Sequence, residues 1–140
     1  MGTAFLGENP KGELKTIKIN ENNEILTQLT GSQVKQAKIL NGQNISEAIN
    51  LEGRTLTSLK IPTGYVSGNI TIQACETENG TYVDLYDSFG SIVTLTVAGD
   101  NRVVALTNNH MQAVASVQYI KLKSAQNVVA DRVFNLIVKG

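Results

Sequence analysis

The sequence predicts an all-β protein, an antiparallel β-sandwich or jelly roll with an extended N-terminal arm. Three observations lead there. Val, Ile and Thr are abundant, and β-branched side chains fit a pleated surface better than a helix. Apolar and polar residues alternate at period two in several short runs, the pattern of strands with one buried face. Turn signals punctuate the runs at short intervals: Pro62-Thr63-Gly64, Ser67-Gly68, Asn79-Gly80, Phe89-Gly90 and Ala98-Gly99-Asp100. A βαβ arrangement needs crossovers of about a dozen residues or more, usually helical. Only residues 108–116 could supply a helix, and that segment is too short and too polar at its start.

Taken in order, residues 1–32 read as the arm. Residues 1–12 hold three Gly and show little periodicity, and strand candidates at 14–19 and 24–29 are separated by a polar turn at 20–23. Two such strands bury little apolar surface against each other, so the arm is expected to need a partner to order it. The alternative is a frayed terminus and one edge hairpin of the same domain. The sandwich domain is expected over residues 33–140. A strand at 54–61 ends at Pro62. The next, at 69–75, places Ile70, Ile72 and Ala74 on one face. Asn79-Gly80 predicts a tight hairpin, because both residue types tolerate positive φ. A strand at 92–97 groups Val93, Leu95 and Val97, and Asn108 is the expected cap of a short helix at 108–116. A strand at 119–123 puts Ile120 and Leu122 together. The last, at 132–138, sets Val133, Asn135 and Ile137 opposite Phe134, Leu136 and Val138.

Composition narrows function. The chain has 140 residues, enough for one domain with an appended arm, and its 12 Lys and Arg balance 12 Asp and Glu. A neutral chain has no electrostatic excess for a phosphate backbone, so nucleic acid is not an expected partner. Only 17% of residues are charged, low for a monomer kept soluble by repulsion, which suggests a surface covered by partners. No run of about eighteen apolar residues is present, so no membrane-spanning helix is expected. The first ten residues lack the basic start and apolar core of a signal peptide. Cys75 and His110 are the only cysteine and histidine. An intramolecular disulfide and a cysteine-based zinc site are ruled out, and any nucleophile–histidine mechanism would have to use His110. The expectation is a protein that is not an enzyme and carries no cofactor or metal.

Tyr65, in a Gly-flanked loop, is the candidate for an exposed ring stacking on a glycan, while Tyr86 and Tyr119 read as structural. Tyr82 and Tyr86 are four apart and expected to share one strand face. Asp84, Asp87 and Asp100 read as turn residues, since no tight acidic loop of the calcium-binding kind is written here. Asp131 and Arg132 are adjacent and would point to opposite faces of a strand. Arg54 is the candidate partner of Asp131 in a structural ion pair. His110 reads as a surface or subunit-contact residue, and Cys75 as a buried small apolar group.

From residue 45 onward the order of strand signatures resembles small β-sandwich proteins encoded among the virion genes of tailed bacteriophages. The resemblance is carried by Gly53-Arg54-Thr55-Leu56, Ile61-Pro62, Gln73-Ala74, Gly80-Thr81-Tyr82, Tyr119-Ile120-Lys121-Leu122 and Asp131-Arg132. Tyr65 stands where an aromatic, often Trp, follows the Pro turn in that group, and Cys75 stands in place of a small polar residue. Residues 1–32 take no part in it. The resemblance implies a capsid decoration or cement protein made in a bacterial host cytoplasm and located on the virion. Its partners would be the major capsid protein and copies of itself, with a homotrimer suited to local three-fold positions. The Gly-x-Tyr hairpin with its Tyr-Ile-Lys-Leu strand is also similar to galactose-binding-like jelly rolls. That second likeness implies the alternative, a carbohydrate-binding adhesion module on a head fibre or tail that contacts a host-surface glycan.

Overall fold

The computed structural model describes residues 31–140. The strand candidates at 14–19 and 24–29, and with them nearly all of the 1–32 arm, lie outside the described residues. In chain order the elements are β1 (Gln33–Ile39), β2 (Ile49–Asn50), β3 (Thr55–Ile61), β4 (Ile70–Cys75), β5 (Val83–Asp84), β6 (Thr94–Leu95), β7 (Arg102–Ala105), α1 (Asn108–Ala115), β8 (Tyr119–Ser124) and β9 (Arg132–Lys139). They form two antiparallel sheets. One has the order β1-β9-β3-β7. The other has the order β2-β8-β4-β5, with β6 also pairing β4.

The core lies between the sheets and follows the period-two pattern. Phe134, Leu136 and Val138 of β9 are buried, as are Ile70, Ile72 and Ala74 of β4 and Ile120 and Leu122 of β8. On β3, Leu56 and Leu59 are both buried although three apart, which strict alternation forbids. A register shift between Leu56 and Ser58 resolves this by leaving Thr57 unpaired with β9. The Thr57 hydroxyl donates to the Ile137 carbonyl at 3.1 Å and its carbonyl accepts from the Leu106 N–H at 2.9 Å, so the bulge is tied to both neighbouring segments.

Four expected strands, at 54–61, 69–75, 119–123 and 132–138, correspond to β3, β4, β8 and β9 within a residue at either end. Other expectations need correction. Asn79-Gly80 does not make a tight hairpin: β4 and β5 pair Ala74 with Val83, leaving a wide connection over residues 76–82. Gly80 is needed there for space instead, because a Cβ would collide with the Cys75 Sγ and the Thr77 Oγ1. The run at 92–97 pairs with β4 only over Thr94–Leu95. Past that point the Asn69 side chain takes the Val97 N–H at 2.9 Å, replacing a ladder bond. The helix cap is Thr107 rather than Asn108, since the Thr107 hydroxyl accepts from the His110 N–H at 3.1 Å. Thr107→Ala is expected to cost about 1 kcal/mol, measurable as a shifted urea midpoint with unchanged slope.

Candidate functional site

Several of the residues singled out from the sequence are not placed as expected. Tyr65 is not exposed: it keeps 2% of its surface. Gly64 and Gly68, at φ 86° and 90°, bend the flanking chain so that the side chain turns inward. Its ring meets Phe134 edge-on, with centroids 5.2 Å apart and planes at 75°, a favoured aromatic geometry. Its hydroxyl donates to the Gly68 carbonyl at 2.7 Å. Burial pushes the phenol up to about 12 from its ordinary value of 10.0. The folded chain therefore holds this proton more tightly than the unfolded chain, and that stabilisation, complete below pH 10, is lost as pH rises from 10 through about 12. Tyr65→Phe is expected to flatten the alkaline limb of a stability–pH curve in that window, and an unchanged limb would contradict this assignment.

Arg54 and Asp131 do not pair. Thr55 stands opposite Lys139 in the antiparallel β3–β9 register, so Arg54 lies beside the end of β9 while Asp131 precedes its first residue. The Arg54 guanidinium instead lies 3.5 Å from Glu52, which also accepts from Lys35 at 2.7 Å. The Lys35 hydrogen bond and charge, with a smaller contribution from Arg54, hold the Glu52 carboxyl below its ordinary value. The Asp131 carboxylate accepts the Asn41 N–H at 2.8 Å.

The other acidic candidates also organise backbone and neighbouring polar groups. Asp100 accepts from the Gly64 N–H at 2.6 Å and Asp84 from the Gln73 amide at 3.2 Å. Asp87 takes the N–H groups of Phe89 and Ser91 at 2.9 and 3.0 Å on one oxygen and the Asn109 amide at 3.3 Å on the other. Among the described residues no group of three His, Cys, Asp or Glu could hold a metal ion. Cys75 is buried, and His110 is half-buried in the first turn of α1. Tyr82 and Tyr86 do not share a strand: the Tyr82 hydroxyl donates to the Glu78 carbonyl at 2.7 Å with Lys121 over its ring, while Tyr86 forms an isolated bridge with Ile92 and stays exposed.

What the structure does bring together is a surface. On the outward side of the four-stranded sheet, Val34, Ile137, Ser58 and Ala105 stand in register across β1, β9, β3 and β7. Gln36, Asn135, Lys60 and Val103 form the next row, and Lys38 and Val133 begin a third. Half of these ten positions are aliphatic, two are lysines and none is a carboxylate. Val34, Val103 and Val133 are 61%, 56% and 39% exposed, well beyond what a solvated sheet face needs. The outward side of the other sheet is ordinary by contrast: Thr94, Thr71 and Lys123 align across it, as do Gln73 and Lys121.

Three further exposed apolar side chains come from β5, at the edge of the five-stranded sheet, and from the hairpin that follows it. Val83, Tyr86 and Phe89 are exposed, Phe89 at 80%. Phe89 sits at the tip of a hairpin whose backbone is held by Asp87, which both donates to and accepts from the opposite strand through its main chain and side chain. Val83 also lines a recess of about 510 Å³ with Leu85, Val117, Glu76 and Asp84.

Neither a family model nor a curated protein nor a solved structure matches this chain.

Proposed function

We propose that this chain is a structural virion protein of a tailed bacteriophage, a decoration or cement subunit that binds the outer head surface and stabilises it without catalysing a reaction. The observation that carries the reading is the outward face of the four-stranded sheet, exposed, half aliphatic and free of carboxylates, a face suited to burial against neighbouring protein in a repeating assembly rather than to the head shell itself. Such a face on a sandwich is an interaction surface, and burying it against protein is favourable by about 25 cal/mol per Å² of apolar area. The strand signatures over residues 45–140 supply the class of assembly. Repetition around a symmetric shell lets individually weak contacts add up to firm attachment. The alternative, a glycan-binding module, loses its proposed contact residue with the burial of Tyr65.

The test is binding of the purified full-length chain to heads that lack it. Saturable co-sedimentation, with heads that then resist heat better, is the expected result. Heads that neither retain the protein nor gain stability at any concentration would overturn the reading. A chain beginning at Ser32 is expected to bind more weakly, and equal binding would show that the arm plays no part.

A further inference from the structure

We propose that the outward face of the four-stranded sheet receives the β5 edge of a second copy of the chain, so that copies join head to tail. The two surfaces are complementary in both chemistry and charge. The sheet face offers aliphatic side chains with Lys38 and Lys60 as its only charges. The edge offers Val83, Tyr86 and Phe89 as exposed apolar groups, with Glu76 and Asp84 in the adjoining recess. The whole segment between Lys60 and Arg102 contains five carboxylates and no basic residue. The neutral chain thus has its charges segregated, which is what a self-complementary but asymmetric contact requires.

Charge also selects the geometry. Two sheet faces packed against each other would bring four lysines into one interface, with Glu47, which accepts the Lys38 N–H at 2.9 Å at the β1 edge, as the one carboxylate recorded beside each face. Uncompensated buried ions are strongly destabilising, so the symmetric face-to-face arrangement is disfavoured. A head-to-tail contact places carboxylates opposite the lysines instead. Phe89 is suited to be the anchor: it is the most exposed of the large apolar side chains among the described residues, and the Asp87 bonds fix its loop before contact, so little ordering entropy is lost on docking. A heterologous contact of this kind closes into a ring when its rotation divides a full turn.

The inference rests on the reading of the chain as an assembling protein, but not on which particle it coats. Sedimentation velocity of the full-length chain tests it with three variants: Phe89→Ser, Lys38→Glu with Lys60→Glu, and Glu76→Lys with Asp84→Lys. All five side chains are exposed or half-buried, and an unchanged melting temperature verifies that each variant folds. The unmodified chain is expected to sediment as an oligomer. Each variant should dissociate at concentrations about 10- to 30-fold higher than the unmodified chain, and mixing the two charge-reversed variants should restore association. A chain that stays monomeric up to about 100 μM, an oligomer indifferent to Phe89→Ser, or charge-reversed variants that ignore each other would overturn the proposal. A chain that binds heads as a monomer contradicts this inference alone, and an oligomer that binds no head contradicts the proposed function alone.

Discussion

Phe134→Ala is expected to destabilise the folded chain by about 3–5 kcal/mol, the range for removing a fully buried aromatic ring from a core. Phe134 has no exposed surface and sits on the central β9, which pairs with both β1 and β3. The loss is compounded because the edge of Tyr65 rests on its ring at 5.2 Å, and an aromatic pair adds about 0.5–1.5 kcal/mol beyond its buried area. A domain of this size has only about 5–15 kcal/mol of net stability, so the variant should show a much lower urea midpoint. Phe134→Leu, which retains most of the volume, should recover a large part of the loss. If Phe134→Leu costs no more than its small loss of volume explains, the ring contact with Tyr65 contributes nothing specific; if the two substitutions cost the same, refilling the volume recovers nothing and this account of the loss is wrong.

Ser46→Ala should cost about 1–3 kcal/mol, the penalty for stranding a buried donor. The Ser46 hydroxyl accepts the buried Leu122 N–H at 2.9 Å, while its own N–H donates to the Leu122 carbonyl at 2.9 Å. Ser46 therefore completes the outer edge of β8 where no regular strand runs beside it. Its neighbours do the same: the Ser124 N–H reaches the Asn44 carbonyl at 2.8 Å and the Val128 N–H the Gln43 carbonyl at 2.8 Å. Hydrogen exchange at the Leu122 amide should accelerate in the variant. A Leu122 amide exchanging at its original rate would show that the hydroxyl does not protect it.

How much of this was legible in the sequence depended on whether one face of each element carried the signal alone. β8 alternates cleanly and β4 does so up to Ala74, because their outward positions there are Thr, Gln, Lys and Tyr, so their inward sets follow from period two; Cys75 ends β4 on the outward side but buried. β9 is legible as a strand, but its outward Val133 and Ile137, aliphatic where a solvated antiparallel strand is polar, carry a signal that the sequence analysis does not use. β1 was not identified. In Gln33–Ile39 only Ala37 and Ile39 are buried, and the strand exists through its pairing with β9, a partner far away in sequence. The Arg54–Asp131 pairing failed for a related reason: residue spacing says nothing about which ends of two antiparallel strands meet. Tyr65 was misjudged because flanking glycines mark a turn without saying which way the turn points. The outward face of the four-stranded sheet is not legible as one surface, since its rows combine four strands whose order, β1-β9-β3-β7, is not their order in the chain.

The central claim is that this chain works by occupying a place on a protein assembly. Electron cryo-microscopy of intact particles from infected cells, with the 33–139 sandwich fitted to the map, tests it most directly. The account predicts repeated sandwich-shaped density on the outer head surface, with each four-stranded sheet facing the β5 edge of a neighbouring copy. Particles that lack such density on the head, with the chain recovered only as a free monomer, would contradict it.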